Sequence, residues 1–412
     1  MSLLSDILSA NNVLKFKKYT LSDLAHYTNG KGHENDVSDD GNFVLITSKF
    51  IATNGKIKRM CDNRFSPIEA GEIAMVLSDL PNGKALAKCY LVEENNRYTV
   101  NQRICKLSPK TEVIIPKFLY YILNRHEDLL RFDSGVDQTN LSKSQVVNLE
   151  LTIPPLEVQN EIVRVLDAFT ELEIELEAEM EARTRQYEHY RDMLLDFSTG
   201  ITGVNRIDKM LVELCPNGVT YDTLGNKTKI LRGASPRPIS RFITTDDKGV
   251  NWIKIGDTET GAKYLTKTEE KITFEGSLKS RTVYPGDFIL SNSMSFGRPY
   301  ISKIVGCIHD GWLSISEYEN CFTTDFLYHL LSSSIIQGQF GKGANYGTVR
   351  NLNVEIVKNV IVPIIPLKVQ HEIVKVLDYF SEYITSSSKG LPAEIEARKK
   401  QYEYYKNKLL TF

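Results

Sequence analysis

A long segment that occurs twice constrains the fold of this chain more than any other feature. Residues 153–169 recur as residues 364–380 with 12 of 17 positions identical, and residues 181–197 recur as residues 396–412. The stretches before each copy correspond more faintly, as in Asn140-Leu141 and Asn351-Leu352. A repeat of this size indicates a duplicated structural unit. The chain is therefore predicted to consist of a globule and a helix, followed by a second globule and a second helix.

The repeated segments have the period of a helix–helix seam, with apolar and aromatic residues at alternating steps of four and three. The first helix is predicted over residues 157–197, a length of about 60 Å. The second follows the same seam, is interrupted at residues 386–390 and restarts at Pro392. The residues expected at the helix–helix interface are Ile162, Leu166, Phe169, Leu176, Met180, Tyr187, Tyr190, Leu194, Ile373, Leu377, Phe380, Ile395, Tyr402, Tyr405 and Leu409.

Charge favours pairing of these two helices with each other. Residues 151–200 carry a net charge of −8 and residues 361–412 a net charge of +2, so two copies of the first helix would repel, whereas the unlike helices attract. Because each helix leaves its globule through the same kind of proline junction, we expect an antiparallel coiled coil and a pseudo-two-fold internal repeat. The alternative is that both helices pair with other proteins.

The globules are predicted to be mixed α/β (α+β) domains. Short β-rich runs such as residues 43–46, 252–255 and 288–291 lie between clusters of Gly, Asn and Asp. One helical stretch is expected near residues 117–130 and another near residues 325–336. The predicted division is a first globule over residues 1–150, a helical spacer over 151–200, a second globule over 201–362 and a C-terminal helical spacer over 363–412.

Composition and motifs exclude several classes of protein. The chain of 412 residues is 42% hydrophobic and 25% charged with a net charge of −2, which is typical of a soluble globular protein. Its six cysteines form no C-x-x-C pair, and the N-terminus lacks the features of a secretory signal, so a cytoplasmic location is expected. Phosphate-loop, dinucleotide, zinc-protease and nucleophile-elbow motifs are absent. We therefore predict no catalytic residue, no metal and no cofactor on this chain.

Cationic and amide side chains in the loops indicate nucleic-acid recognition. Arg and Lys pair with guanine edges, Asn and Gln pair with adenine, and hydroxyl groups bind phosphates. The candidates for DNA binding are Lys31, Lys56, Lys58, Arg59, Asn82, Lys84, Asn101, Gln102, Arg103, Gln138, Thr139, Asn140, Arg232, Ser235, Arg237, Lys279, Arg281, Ser291, Asn292, Ser293, Arg298, Lys342, Asn345, Tyr346, Thr348 and Arg350.

Two observations temper this interpretation. Gly, Ser and Asn are also ordinary turn residues, so a purely structural role stays open for each loop. The net charge is only +1 over residues 1–150 and +3 over residues 201–360. Because phosphate neutralisation drives affinity, DNA binding requires the cations to cluster on one face or a partner to supply further contacts.

Two variable globules that are each followed by a near-identical helix resemble the DNA-specificity subunit of type I restriction-modification systems. The repeated segments 153–169 and 364–380 look like the repeated helical regions of that family, and residues 252–257 and 286–291 look like its target-recognition domains. The resemblance covers essentially the whole chain. It implies that each globule reads one half of a bipartite site on double-stranded DNA and that the helices fix the spacer.

The resemblance also implies partners. In that family two modification subunits, which carry S-adenosylmethionine and methylate adenine, dock on the specificity subunit. Restriction subunits that use ATP join the complex, whereas the specificity chain is itself not catalytic. Two other hypotheses remain: an adaptor whose two modules on a coiled-coil spacer bind partners other than nucleic acid, and an enzyme whose site is not apparent in the sequence.

Overall fold

The chain forms two compact units in a computed structural model, which describes residues 16–80, 84–133, 135–198, 200, 202–258, 261–293, 296–344, 351–385 and 390–411. The first unit comprises residues 1–174 and 397–412, and the second comprises residues 175–396. Each unit therefore contains one globule and parts of the long helices. In the described part of the chain, no helix has the length and apolarity that crossing a membrane requires.

The first globule contains two four-stranded sheets and two short strand pairs. In one sheet the order is Ala25–Asn29, Ile104–Pro109, Ile73–Val76 and Cys89–Leu91, all antiparallel. In the other the order is Met60–Cys61, Phe43–Ile46, Tyr98–Val100 and Pro67–Ile68, and its two central strands are parallel. The strand pairs are Lys17–Thr20 with Glu150–Ile153, and Ser78–Asp79 with Thr139–Asn140.

The second globule repeats this plan with five strands in each sheet. One sheet has the order Lys229–Arg232, Trp312–Ser316, Phe288–Ser291, Pro299–Ser302 and Tyr264–Leu265. The other has the order Ile243–Thr244, Glu270–Ile272, Val250–Ile253, Gly306–Ile308 and Arg281–Val283, again with a parallel pair at Val250–Ile253 and Gly306–Ile308. Thr220–Thr223 pairs with Ile361–Ile364 as the first strand pair does in the other globule.

Short helices join the strands in both globules. In the first globule they are Leu21–Leu24, Ser48–Ala52, Pro116–Leu123, Glu127–Leu130 and Lys143–Val147. In the second unit they are Asn205–Leu214, Leu224–Lys227, Phe274–Leu278, Thr324–Ser332, Ser334–Ala344 and Val354–Lys358, with 3-10 turns at Ile239–Arg241 and Ile255–Asp257.

The prediction of one continuous helix at the end of each globule is wrong. Near residues 117–130 the helix breaks at Asn124, whose side-chain oxygen accepts a hydrogen bond from Cys89 N at 3.0 Å, and Arg125 adopts a left-handed φ of 60°. Near residues 325–336 the break falls at Ser333, which is extended, and a further helix then runs to Ala344. In the first case side-chain bonding to a neighbouring strand interrupts an otherwise helical sequence.

The long helices follow the predicted boundaries closely. The first runs from Leu156 to Leu195, and the second copy is divided into Leu367–Thr385 and Leu391–Leu410. Residues 386–389, where the interruption is predicted, lie outside the described part of the chain. Residues 156–174 and the end of the last helix belong to the first unit, and the remainder of the long helices belongs to the second.

Within each unit the helical segments contact each other through matched aromatic stacks. In the first unit Phe169 stacks on Tyr405 with ring centroids 5.4 Å apart and also contacts Tyr402, while Glu173 pairs with Lys399 at 3.2 Å. Partner numbers fall as residue numbers rise, so the two segments run antiparallel there. In the second unit Tyr190 stacks on Phe380 at 5.9 Å.

The predicted seam residues divide between two environments. Ile162, Leu166 and Leu409 are buried in the core of the first unit, and Leu194, Ile373 and Leu377 in the core of the second, because each core includes the start of one long helix and the end of the other. These six residues therefore pack against the globules as well as against the other long helix, which the prediction of a helix–helix interface did not include. Leu176 and Ile395 are buried, whereas Met180 and Tyr187 are partly exposed.

Candidate nucleic-acid interface

Both globules place loops of different sequence at the carboxyl ends of a parallel strand pair. In the first globule these ends are Ile46 and Val100, and in the second they are Ile253 and Ile308. Ligand sites in sheets with parallel strands commonly lie beyond such ends. The loops that follow carry the sequence-predicted residues 101–103 in the first globule and the equivalent residues 309–311 in the second.

Three matched backbone hydrogen bonds establish that equivalence. Gly30 N donates to Ile104 O at 2.9 Å as Gly233 N donates to Trp312 O at 2.9 Å. Lys31 N donates to Val100 O as Ala234 N donates to Ile308 O, and Leu77 N donates to Arg103 O as Asn292 N donates to Gly311 O. A Cβ at Gly30 or Gly233 would overlap with the backbone of the facing loop, so only glycine allows this close approach.

A cationic cleft of about 570 Å³, hereafter the first cleft, occupies this place in the first globule. Five predicted residues come together in it: Lys58, Arg59, Asn101, Gln102 and Arg103. Its remaining lining residues are Glu34, Thr47, Ser48, Lys49 and Ile57. Lys49, Lys58, Arg59 and Arg103 are exposed, and none of them forms an ion pair with any residue that the structure describes. Four cations without an internal partner face solvent beside a single carboxylate.

The second globule gathers its candidates around the Asp310 loop. Ser235 Oγ donates to Asp310 Oδ1 at 2.8 Å, and Arg237 lies 3.4 Å from Oδ2 of the same carboxylate. Arg232 Nε and Asn292 Nδ2 both donate to the Asp310 carbonyl. The hydrogen bond from Ser235 is the largest of the effects that lower the pKa of Asp310. Arg232 and Arg237 remain exposed, so their other donors can reach a ligand.

The remaining candidates fall into four groups. Lys31, Lys56, Lys84, Ser293 and Lys342 are exposed outside the first cleft, and Arg298 and Arg281 are partly exposed. Gln138 and Lys279 are exposed but engaged, the first with Ser78 at 2.7 Å and the second with Glu275 at 2.7 Å, and Asn140 accepts a bond from Gln138. Thr139, Ser291 and Asn292 are buried, which removes them from the accessible set. The predicted residues that lie outside the described part of the chain are Asn82, Asn345, Tyr346, Thr348 and Arg350.

Sequence reasoning missed two kinds of cleft residue. Lys49 lies in the helix Ser48–Ala52 directly after a strand, and the search for loop cations passed over it although its distance from the strand end was a usable signal. Glu34 in the first cleft and Asp310 in the second globule are carboxylates, which a search for phosphate-binding groups does not select. Both orient neighbouring polar side chains.

A His–Asp–Cys cluster lies beside the first cleft but has internal partners. Atoms of His33, Asp36 and Cys61 lie within 4.8 Å of one another. His33 contacts Lys31 O at 2.8 Å and Thr99 Oγ1 at 3.2 Å through its two ring nitrogens, and the Asp36 carboxylate accepts two bonds from Asn63. Burial raises the pKa of the Cys61 thiol to about 11. These contacts fix the loop that carries Glu34.

Comparisons with known proteins assign a class to this duplicated mixed fold. The family described as "Type I restriction modification DNA specificity domain" matches residues 14–183 and 229–397, so this chain belongs to that family. The two matches coincide with the two copies of the repeat. The predicted family resemblance and the predicted non-catalytic DNA-specificity role are thereby confirmed.

Individual relatives carry the same description. The chain is 30% identical over 312 residues to the specificity subunit of the type I restriction enzyme EcoR124I/EcoR124II of Escherichia coli, covering 72% of this chain and 70% of that one. It is 29% identical over 365 residues to a type I restriction enzyme specificity subunit of Haemophilus influenzae, covering 83% of each. A solved structure concerned with assembly and conformational transition of the type I restriction-modification system has the same fold, with a TM-score of 0.66 at 17% identity over 96% of this chain and 98% of that one.

Proposed function

We propose that this chain directs a type I restriction-modification complex to its target, with each globule reading one half of a bipartite site on double-stranded DNA. The observation that carries the proposal is the first cleft: four cations that form no ion pair with any described residue, beside amide side chains that can read base edges, at the end of a parallel strand pair. In the second globule, Arg232 and Arg237 lie beside the equivalent loop and contact Asp310. Such clustering allows DNA binding despite the low net charge of each globule, because affinity depends on local phosphate contacts.

The candidate residues that are exposed in the structure are proposed to contact DNA in this complex. The first cleft supplies Lys49, Lys58, Arg59, Gln102 and Arg103, of which Lys49 is an addition to the sequence-based set. The proposed domain division remains that of two recognition globules over residues 1–150 and 201–362, with helical spacers over 151–200 and 363–412. A DNA substrate also implies that the protein acts in the cytoplasm.

The long helices are proposed to form an antiparallel coiled coil that relates the globules by a pseudo-two-fold axis and sets the spacer. Matched stacks of Phe169 on Tyr405 and Phe380 on Tyr190 support this arrangement. Half-sites on one face of B-DNA lie about 34 Å apart, a distance that a helix of about 60 Å can span. The same helices are proposed to dock two modification subunits, which bind S-adenosylmethionine, and the complex to recruit restriction subunits that use ATP.

The proposal predicts a salt-dependent interaction that involves the first cleft. In complex with its modification subunit, the chain should bind duplex DNA with an affinity that falls as salt rises. The double substitution Arg59→Ala and Arg103→Ala should reduce the slope of log affinity against log salt by about one to two, since each lost phosphate contact lowers it by about one. Fluorescence anisotropy over a salt series measures this slope.

The matched control removes the same charge elsewhere. Lys18 and Lys209 are exposed and lie outside both the first cleft and the long helices, so replacing both with alanine should leave the slope nearly unchanged. Equal slopes for the two double variants would contradict the placement of the interface. Absence of duplex binding by the intact complex at low salt would favour the adaptor hypothesis instead.

A further inference from the structure

Gln102 is held in one orientation by a carboxylate from a distant loop. Its Nε2 donates to Glu34 Oε1 at 2.6 Å, and Glu34 is the sole carboxylate among the residues that line the first cleft. A Cβ at Gly32 would lie 2.5 Å from Glu34 Oε2 and 3.3 Å from Gln102 Oε1, so the absence of a side chain there leaves room for this pair.

The backbone beneath Gln102 is fixed at both ends. Asn101 N donates to Ile46 O at 3.1 Å, and Leu77 N donates to Arg103 O at 2.9 Å. Gln102 N itself donates to Asn101 Oδ1 at 2.6 Å. A side chain on a loop held in this way, with its amide oriented by a second residue, has the preorganisation that specific recognition requires.

The hydrogen-bonding capacity that remains on Gln102 is complementary to one base. After the bond to Glu34, the amide keeps one N–H donor and its carbonyl acceptor, and neither bonds to any residue in the described ranges. Adenine presents an acceptor and a donor side by side in the major groove, whereas guanine presents two acceptors, cytosine a donor and thymine an acceptor beside a methyl group. Among single bases, only adenine satisfies both free groups of the amide.

We infer that Gln102 reads an adenine in the half-site recognised by the first globule, and that Glu34 is the residue that positions it. The inference rests on the proposed function, because it assigns a base to one residue of the same interface. Lys58, Arg59 and Arg103 surround the pair and supply the positive charge that keeps Glu34 compatible with a nearby phosphate backbone.

The second globule has a different arrangement at the equivalent position. Asp310 occupies the position equivalent to Gln102, and its carboxylate is engaged by Ser235 and Arg237. The effect of Gln102 is therefore confined to one half-site, and the other half-site serves as an internal reference.

The test is long-read methylation sequencing of a host free of adenine methylation that expresses the chain with its modification subunit. The wild type should methylate a bipartite motif. Gln102→Ala should relax one A·T position in one half-site, with about tenfold weaker discrimination there, and leave the spacer and the other half-site unchanged. Glu34→Ala should relax the same position, whereas Glu34→Gln, which keeps an acceptor oxygen, should preserve the motif.

Asn217→Ala is the matched control, because Asn217 is an exposed amide outside the first cleft. A wild-type bipartite motif that is unchanged in Gln102→Ala, or relaxed at a G·C position, would overturn the inference and leave the proposed function intact. Absence of any bipartite motif with a soluble wild-type complex would instead overturn the proposed function. An unchanged midpoint of denaturant unfolding shows that Gln102→Ala is folded.

Discussion

Gln159 and Gln370, at equivalent positions of the repeat, anchor the start of each long helix through the same three hydrogen bonds. Gln159 accepts from Ile115 N at 2.9 Å and donates to Val113 O and Pro154 O. Gln370 accepts from Thr323 N at 2.8 Å and donates to Cys321 O and Ile365 O. Both side chains are fully buried, so each amide satisfies backbone groups that water cannot reach.

Replacing either glutamine with alanine should destabilise the unit to which it belongs. Gln159→Ala leaves one N–H and two carbonyl groups without partners, at a cost of about 2–4 kcal/mol. Hydrogen exchange should show weaker protection in the first unit, and Gln370→Ala should do the same in the second. Asn217→Ala is the control. A change in the free energy of unfolding below about 0.5 kcal/mol, which is common for surface substitutions, would contradict this account.

His329 is a buried titratable group in the second unit. Its Nε2 contacts Asp378 Oδ1 at 2.9 Å and its Nδ1 contacts Tyr187 Oη at 3.1 Å. Because a carboxylate only accepts, Nε2 carries the proton and Tyr187 donates to Nδ1. Burial lowers the pKa of His329, an effect that Asp378 partly offsets, and the hydrogen bond from His329 lowers the pKa of Asp378. Lys263 pairs with Asp325 at 2.8 Å beside them.

The second unit should therefore lose stability as the pH falls below about 6.5. In this window the unfolded chain binds a proton at His329 more readily than the folded chain does, and the loss approaches about 1.4 kcal/mol per pH unit. The contribution of Asp378 is lost only at lower pH, as its own carboxylate is protonated. Denaturant unfolding between pH 7.5 and 5.5 measures the effect, and His329→Gln should flatten it. An equally steep profile in that variant would show that another group is responsible.

At the scale of single residues, the sequence predicts function only in part. Five of the ten residues that line the first cleft were predictable, because cations and amides after strands are a recognisable pattern. Glu34 of this cleft and Asp310 of the second globule were not predictable, since their roles depend on contacts with residues that are 68 and 75 positions away in the chain. Thr139 and Ser291 were misassigned because a hydroxyl in a polar loop carries no sign of its burial.

At the scale of elements, the long helices were the most predictable part of the molecule. A sustained seam of apolar residues defined Leu156–Leu195 to within two residues at its far end. The shorter helices near residues 117–130 and 325–336 were predicted as single elements because neither break occurs at a proline or glycine: the break at Asn124 involves a side-chain bond to Cys89, and Ser333 is extended.

Helix length should control the spacer of the target site. Adding one heptad to each long helix keeps the seam in register and extends the pair by about 10 Å. The methylated motif should then keep both half-sites and gain a gap longer by at most about three base pairs, given the rise of about 3.4 Å per base pair. Methylation sequencing of the extended variant measures both. Altered half-sites with an unchanged gap would contradict the role of the helices as a spacer.

At the scale of the whole molecule, duplication explains the architecture. The two globules share the sheet order and the parallel strand pair. They also share the close backbone approach at Gly30 and Gly233 and the buried glutamines Gln159 and Gln370. They differ in the loops, where Gln102 in one corresponds to Asp310 in the other. A common framework with different loop chemistry is what reading two unlike half-sites requires.

The measurement that tests this claim most directly is the methylation motif of the wild-type chain, expressed with its modification subunit in a host that lacks adenine methylation. Our account predicts methylated adenine in two short, different blocks separated by a fixed gap of unspecified sequence. One contiguous motif, or no new motif despite a soluble complex, would contradict it.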